Sequence, residues 1–312
     1  MNRKDFIKKS SSGVVGLTLG SFFLNPYRTG NSQFQATSDT WLKKGFMLGT
    51  FPSQDEYTIM EKFMMLKDAG FHGVEPGSGL ARNEILDAKD ASGLDIPSVV
   101  VSTHWSQPLS SPDSSVREAG LKGLITAIED AHTFGAGCVL LVPGVVNESV
   151  SYDDAYHRSQ HEIRKAIPLA KELGVVIAIE NVWNQFLLSP MEAARYVDEF
   201  ESDSVGWYMD VGNIMNFGFP EQWIRILGKR IAMVHIKEYS MEKRNEEGPW
   251  AGFRVNYLEG DSNWPEIMKA LKDVGYDGGY GIAEPAFRDQ SLPHTQWLSE
   301  YVSDRMDQIF VM

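Results

Sequence analysis

The sequence predicts a (β/α)8 barrel (TIM barrel) of the α/β class, formed as a single domain by residues 37–312. From residue 45 onward, apolar strand-like segments alternate with helical patterns, and eight such units over roughly 270 residues match this architecture in number and length. Several strands are apolar throughout, as expected of parallel strands covered on both faces. A doubly wound open sheet is the competing architecture, but no Gly-x-Gly-x-x-Gly phosphate loop follows any strand.

The strands are predicted from short runs that are rich in apolar and β-branched residues. They lie at 46–49, 71–75, 97–102, 138–142, 175–180, 205–210, 231–236 and 280–284. Helices are predicted between them where apolar side chains recur every three or four residues. Three of them end at a glycine and lie at 55–69, 114–134 and 152–173, and shorter ones lie at 189–200, 223–227 and 264–274. The polar connection 238–261 has a length typical of a functional or mobile loop.

The composition narrows the classes of partner. With 43% hydrophobic and 23% charged residues, the chain can form an ordinary globular core. Its net charge of -13 argues against a nucleic-acid surface and against a purely electrostatic membrane partner, because both require clustered Lys and Arg. The only cysteine, Cys138, excludes an internal disulfide and a thiolate metal cluster, and its apolar neighbours predict a buried thiol. A small-molecule partner is expected, and a homo-oligomer remains open.

Residues 1–36 are predicted to be an export signal and a flexible segment that precede the barrel. A basic stretch at 2–9 is followed by an apolar stretch at 13–24, which is too short to span a bilayer. Residues 3–8 resemble a twin-arginine signal with lysine at the second arginine, and a general secretory signal is the alternative. We therefore expect a periplasmic protein, or a cytoplasmic one if the signal does not function. No cysteine lies near the apolar stretch, so no stable membrane anchor is expected.

Four predicted strands end with a side chain that commonly binds metals: Glu180, Asp210, His235 and Glu284. The carboxyl ends of parallel strands meet at one edge of a barrel, and a buried charge there is costly unless it is paired or metal-bound. Taken singly, Asp210 could cap a helix, His235 could be a structural histidine and Glu180 could pair with a lysine. Taken together, they predict one divalent-metal site, with Mn²⁺ as the first candidate and Mg²⁺, Co²⁺ or Zn²⁺ as alternatives.

Five motifs carry a resemblance to a known family. They are Ile179-Glu-Asn-Val-Trp-Asn184, Met209-Asp-Val-Gly-Asn213, Val234-His-Ile-Lys-Glu238, Tyr257-Leu-Glu-Gly-Asp261 with Trp264, and Ile282-Ala-Glu284. In this order they resemble the sugar phosphate isomerase/epimerase family of xylose isomerase-like barrels, over most of residues 45–300. The most similar subgroup is the 3-epimerases of ketoses and ketose phosphates. Relatives that act on free ketoses often have histidine where this chain has Asn213.

The resemblance implies a role for each of the four strand-end residues. One divalent metal would be held by Glu180, Asp210, His235 and Glu284, and the two glutamates would also be the catalytic acid–base pair. A metal on the carbonyl and neighbouring hydroxyl oxygens of a ketose stabilises an enediolate. One glutamate would remove the proton and the other would return it on the opposite face. Returning it to the neighbouring carbon would give aldose–ketose isomerisation, and the residues do not distinguish these outcomes.

Six further residues are candidate substrate contacts because of their positions at or beyond the predicted strand ends or in the 238–261 connection: Glu75, His104, Trp183, Asn213, Lys237 and Arg254. Lys237 could hold a hydroxyl or an oxyanion, or form a salt bridge to a carboxylate. His104 could bind a hydroxyl or pack at the rim, and Trp183 could line the pocket or join the core. Arg254 could bind a phosphate or be an ordinary surface arginine.

Three other functions compete with the epimerase. A dehydratase of a keto-inositol or keto-sugar acid would eliminate water from the same enolate. A non-catalytic sugar-binding protein would not need two opposed carboxylates on a metal. An apurinic-site endonuclease would need several more histidine ligands and a basic groove, which the acidic composition argues against. If the export signal functions, we expect the substrate to be an unphosphorylated or oxidised sugar derivative.

Overall fold

The structure, a computed structural model of the chain, describes residues 41–52, 56–277 and 279–312. These residues belong to one compact unit, Asp39–Met312. The predicted export signal within residues 1–36 lies outside the described residues. Among the helices that are described, none is long and apolar enough to cross a membrane.

Within the described residues, eight parallel strands form a nearly closed barrel, which confirms the predicted (β/α)8 fold. The strands are β1 (Lys43–Met47), β2 (Gly73–Glu75), β3 (Ser98–Val100), β4 (Cys138–Leu141), β5 (Val176–Glu180), β6 (Val205–Asp210), β7 (Ile231–Ile236) and β8 (Tyr280–Ala283). They are hydrogen-bonded in the order β2-β1-β8-β7-β6-β5-β4-β3. The seam between β2 and β3 is joined by two isolated parallel bridges, Gly73 to Asp95 and Gly77 to Val100.

Helices lie between the strands and cover the barrel. They are α1 (Ile59–Asp68), α2 (Arg82–Ser92), α3 (Ser114–Phe134), α4 (Tyr152–Leu173), α5 (Pro190–Asp198), α6 (Val211–Met215), α7 (Pro220–Leu227), α8 (Met241–Glu247), α9 (Trp264–Asp273), α10 (His294–Gln296) and α11 (Asp304–Phe310). Short 3-10 turns occupy Leu48–Thr50, Gly228–Arg230 and Pro249–Phe253, and Trp297–Ser303 is π-helical.

Local sequence signals explain the bounds of the two longest helices. Helix α3 begins after Asp113, whose side chain accepts a hydrogen bond from the Ser115 N–H, and it ends at Gly135 with φ of 80°. Helix α4 begins after Ser151 and ends at Gly174 with φ of 68°. Polar N-caps and left-handed glycine C-caps are the usual ends of helices, and both predicted ranges are confirmed.

Several elements differ from the sequence prediction, and β1 and α2 show why. Strand β1 begins at Lys43, three residues earlier than predicted, because Lys43 and Lys44 already pair with Tyr280 and Gly281 of β8. The side chain of Lys44 is buried and donates to Ser303 Oγ (2.8 Å) and Asp307 Oδ2 (2.6 Å). A lysine in a strand gives no apolar signal, and its partners lie at the other end of the chain. Helix α2 was not predicted, since only a narrow stripe that includes Ile85 and Ala88 is buried.

The core has two layers. The barrel interior is filled by Val100, Cys138, Leu140, Val176, Ala178, Tyr208, Met233 and Ile282. A larger cluster packs the outer face of the strands against the helices. Cys138 is buried as predicted, and burial raises the pKa of its thiol. The packed interior closes the barrel below the site, so the carboxyl ends of the strands form its functional edge.

Candidate metal centre and active site

The four predicted metal ligands converge at the carboxyl edge of the barrel. Glu180 and Asp210 end β5 and β6, His235 is the next-to-last residue of β7, and Glu284 directly follows β8. The strand register pairs Asp210 with His235 on neighbouring strands. Each residue offers one ligand atom, and these atoms all lie within 4.8 Å of one another. We call these four residues the ligand cluster.

The ligand cluster fits a divalent cation. Asp210 Oδ2 and Glu284 Oε2 are buried and have no hydrogen-bond partner within the described part of the chain. A buried carboxylate oxygen that makes no hydrogen bond is costly, and a cation held by the ligand cluster would offset that cost. The other oxygen of Asp210 accepts a hydrogen bond from the Asn213 N–H (2.7 Å) at the start of α6. Asp210 is therefore a helix cap on one oxygen and an available ligand on the other.

His235 presents Nδ1 to the ligand cluster. This atom lies 3.0 Å from Glu284 Oε2 and 3.3 Å from Glu180 Oε1. The other ring nitrogen, Nε2, lies 2.9 Å from Glu75 Oε2. Glu75 Oε1 accepts hydrogen bonds from Ser98 Oγ and from the Tyr208 hydroxyl, both at 2.5 Å. A carboxylate that receives the Nε2 proton leaves Nδ1 as the free metal-binding nitrogen.

The contact with His235 Nε2 places Glu75 behind a metal-ligand candidate, away from the substrate side where it was predicted. The sequence predicts a substrate contact, whereas the structure places the fully buried Glu75 beneath the His235 ring, inside the barrel. The sequence contains no signal for its two hydroxyl partners. Ser98 and Tyr208 belong to β3 and β6, and they reach Glu75 only through closure of the barrel.

Lys237 is held by the carboxylates of the cluster. Its Nζ donates to Glu284 Oε1 (2.7 Å) and lies 3.5 Å from Asp210 Oδ2. Burial alone would lower the pKa of Lys237, but Asp210 and Glu284 raise it above its usual value. The structure thus contains the salt bridge that the sequence offered as the alternative to a substrate contact.

The surroundings shift the pKa values of the acidic residues in opposite directions. Burial raises the pKa of Glu180 and Asp210, although nearby cationic groups oppose this. Burial also acts to raise the pKa of Glu284, but Lys237 and His235 outweigh it and hold that pKa below its usual range. Burial acts to lower the pKa of His235, but Glu75 and Glu284 outweigh it and hold that pKa well above its usual value. Acid–base pairs are commonly built from carboxyls whose pKa values are driven apart in this way.

Asn213 and Trp183 lie beside the ligand cluster. The Asn213 amide nitrogen donates to the Asn181 carbonyl (3.0 Å), and Trp183 Nε1 donates to the Asn213 carbonyl (2.8 Å). Asn181 in turn donates to the Asp210 carbonyl (2.7 Å) and accepts from the Asp210 N–H (3.1 Å). The amides next to two ligands therefore tie β5 to β6 and fix the position of Asp210.

His104 and Arg254 are engaged elsewhere. His104 is buried, and its Nδ1 accepts from the Val142 N–H (3.3 Å). Burial lowers the pKa of His104 to about 4, so the ring is neutral near pH 7. Arg254 is exposed and pairs with Glu247 at 2.6 Å. Among the described contacts, none joins either residue to the ligand cluster, and their roles toward substrate stay predictions.

A family match agrees with this geometry. The sequence pattern of the xylose isomerase-like TIM barrel family matches residues 63–300 of the chain. This span contains all four members of the ligand cluster. The chain belongs to the xylose isomerase-like TIM barrel family. The resemblance seen in the sequence motifs is therefore confirmed.

Curated relatives of this family member include an archaeal protein and several bacterial enzymes. MJ1311 of Methanocaldococcus jannaschii is 24% identical over 198 residues, which cover 62% of this chain and 65% of that protein, just under two thirds of its length. The L-ribulose-5-phosphate 3-epimerase UlaE of Escherichia coli is 24% identical over 237 residues, which cover 72% of this chain and 81% of the enzyme.

Solved structures share the family fold at low sequence identity. A D-psicose 3-epimerase crystallised in the presence of D-fructose is similar with a TM-score of 0.70, at 18% identity, over 85% of this chain and 97% of that one. The E. coli 3-keto-D-glucoside 4-epimerase YcjR is similar with a TM-score of 0.69, at 18% identity, over 87% of this chain and 100% of that one. UlaE and these two solved proteins are sugar epimerases by name, and the solved structures share the barrel fold of this chain.

Proposed function

We propose that this protein is a metal-dependent ketose 3-epimerase. The observation that carries the proposal is the convergence of Glu180 and Glu284 on one ligand cluster from β5 and β8, with Asp210 and His235 between them. Two carboxyls that approach a bound ketose from different walls of the barrel can act on its two faces. The names of UlaE and of D-psicose 3-epimerase support this reaction class.

The proposed chemistry divides the work between the metal and the protein. A divalent metal, Mn²⁺ in this proposal, would be held by Glu180, Asp210, His235 and Glu284 and would supply Lewis-acid stabilisation of the enediolate oxygens. Glu284, which Lys237 keeps ionised, removes the proton on carbon 3. Glu180, whose pKa is raised by burial, delivers a proton to the opposite face. In the reverse direction the two glutamates exchange roles.

We also propose that the substrate is unphosphorylated and that the protein is exported. The basic and apolar N-terminal segment supports export. Lys237 and Arg254, the two cations predicted to contact substrate, are paired with Glu284 and Glu247, so neither is presented to a phosphate. UlaE acts on a phosphorylated ketose by its name, and phosphorylated sugars therefore belong in the test panel.

Solvent deuterium exchange tests the proposed function. Mn²⁺-loaded protein is incubated in D₂O with D-fructose, L-ribulose and their 5- or 6-phosphates, and deuterium at carbon 3 is followed by NMR. We expect exchange and a 3-epimer from at least one free ketose. Glu284→Gln should retain the fold and lose exchange by about 10²–10⁴-fold, because a positioned acid–base group typically contributes this factor.

Glu162→Gln is the matched control, since Glu162 is buried on α4 and pairs with Lys165 (2.7 Å) away from the ligand cluster. It should exchange at close to the wild-type rate. Exchange at the wild-type rate in Glu284→Gln would contradict the assigned role. Exchange of phosphates alone would contradict the unphosphorylated substrate. A product lighter by one water would identify the dehydratase, and binding without any exchange would identify a sugar-binding protein.

A further inference from the structure

Five aromatic side chains form a continuous group beside the ligand cluster, which we call the aromatic shelf. It consists of Trp183, Phe217, Tyr239, Trp250 and Phe253. They come from the connections that follow β5, β6 and β7. The Trp183 ring centroid lies 4.5 Å from that of Trp250, 4.9 Å from that of Phe253 and 5.5 Å from that of Phe217.

One side of the aromatic shelf is open. Trp250 is 70% exposed and Phe217 is 62% exposed, whereas Tyr239 and Phe253 are buried beneath them. The exposed rings therefore lie on a layer of packed aromatic side chains. Such an exposed apolar surface next to a reactive centre is typical of a ligand-binding surface.

The aromatic shelf is built rigidly. The Tyr239 hydroxyl donates to the Pro249 carbonyl (2.7 Å), and the Ser240 N–H donates to the Gly252 carbonyl (2.8 Å). A Cβ at Gly252 would collide with the Tyr239 ring, so glycine lets the Pro249–Phe253 turn pack directly on this tyrosine. The backbone that carries Trp250 is thus held in place, which reduces the ordering cost when a ligand binds.

The aromatic shelf continues directly from the reaction centre. Lys237 Nζ lies 5.0 Å from the centre of the Phe253 ring and 2.7 Å from Glu284 Oε1. A ketose held at the ligand cluster would therefore have the aromatic shelf next to it. A flat aromatic face matches the apolar C–H face of a pyranose ring. Arg244 and Asn216, joined by a 2.9 Å hydrogen bond, lie at the Tyr239 edge and can serve ring hydroxyls.

We infer that the aromatic shelf binds a second sugar ring, so that a glycosylated ketose is preferred as substrate over a free monosaccharide. This inference rests on the proposed function, since it places the ketose unit at the ligand cluster. It adds a subsite in which Trp250 and Phe217 stack on the neighbouring ring.

Kinetics with matched sugars test the aromatic shelf. Exchange at carbon 3 is measured with Mn²⁺-loaded protein on D-fructose and on two disaccharides that contain fructose, lactulose and isomaltulose. We expect kcat/KM to be about tenfold higher for at least one disaccharide, a size typical of one good aromatic contact. Trp250→Ala should abolish this preference and Phe217→Ala should reduce it. Phe219→Ala is the control, because Phe219 is equally exposed at 62% but does not belong to the aromatic shelf.

Calorimetry keeps the test independent of catalysis. The Mn²⁺-loaded Glu284→Gln protein is titrated with lactulose and D-fructose, with and without Trp250→Ala. Tighter binding of lactulose that depends on Trp250 supports the subsite even if no sugar exchanges, a result that would overturn only the proposed function. Equal binding and equal kcat/KM for the two sugars would overturn the subsite. Loss of a dimer on size-exclusion chromatography in Trp250→Ala, with sugar preference unchanged, would also overturn it in favour of a subunit contact.

Discussion

At the scale of single residues, Glu75 determines which nitrogen of His235 is available to a metal. Its two oxygens have different partners: Oε2 faces His235 Nε2, and Oε1 accepts from Ser98 and Tyr208. Both oxygens must therefore act as acceptors at once. A metal-binding histidine is commonly oriented by a carboxylate on its second nitrogen, which fixes the tautomer and the ring position.

Glu75→Gln should weaken metal binding by about 10–100-fold, the usual cost of removing a carboxylate behind a metal-binding histidine. The amide nitrogen of glutamine would have to face either the His235 Nε2–H or the two hydroxyls, and neither can accept it without rearrangement. Metal affinity is measured by competition with a chelator at fixed pH. Tyr208→Phe, which removes only one hydroxyl from Glu75, should have a smaller effect. Equal affinities for wild type and Glu75→Gln would contradict this role.

The sequence predicts where a strand ends more readily than it predicts the direction in which a side chain at that end points. Asp210 shows that two roles which look exclusive in the sequence, helix cap and ligand, can be shared between two oxygens. Glu75 is also at a strand end, but the structure turns it into the barrel. A shift of one residue along a strand reverses the face, and a three-residue strand such as β2 offers too short a pattern to determine it.

At the scale of elements, Glu238 organises the connection between β7 and α9. Its buried carboxylate accepts hydrogen bonds from the N–H groups of Tyr239, Leu258 and Ser262 and from the Trp264 indole, at 2.7–3.1 Å. The sequence predicted a long functional or mobile loop here. The structure shows that this connection contains α8 and a 3-10 turn, and that its two ends meet at one carboxylate. Donors that lie 20–26 residues away from their acceptor leave no local sequence pattern.

Glu238→Ala should destabilise the protein by about 3 kcal/mol or more, because each buried donor left without a partner costs roughly 1–3 kcal/mol. Chemical denaturation measures the loss, and limited proteolysis at Lys243 and Arg244 reports the opening of the connection. Glu247→Ala is a control in the same segment. Its exposed pair with Arg254 should contribute no more than about 1 kcal/mol. Similar losses in the two variants would show that Glu238 does not organise the connection.

At the scale of the whole molecule, barrel closure brings four distant strand ends into one charged centre. The count of eight strands and the positions of the four ligands could be predicted from the sequence, because strand ends in a parallel barrel share one edge. The aromatic shelf could not be predicted beyond Trp183. Its other members lie in connections whose course depends on hydrogen bonds such as that of Tyr239 to Pro249.

The ionisable groups of the ligand cluster lie close together, so their shifted pKa values make the stability of the whole protein depend on pH. Without added metal, the raised pKa values of Glu180, Asp210 and His235 mean that the folded protein binds protons more tightly than the unfolded chain. Their contribution to stability is full at low pH and is lost as pH rises through their folded pKa values. Glu284 has a lowered pKa, so its contribution is present above its unfolded value near 4.5 and is lost only on acidification.

Metal should reverse this trend, because cation binding requires Asp210 and His235 to release their protons. We expect the rise in Tm caused by Mn²⁺ to grow as pH increases from about 5.5 to about 8, while Tm in EDTA falls over the same range. A metal at 100 times its Kd stabilises the folded state by about 2.7 kcal/mol, which is readily measured in thermal melts. His235→Gln should lose most of this metal-dependent shift at every pH, since it lacks the Nδ1 ligand. A Mn²⁺ shift that stays constant or shrinks with rising pH would show that the ligand cluster does not exchange protons for the metal.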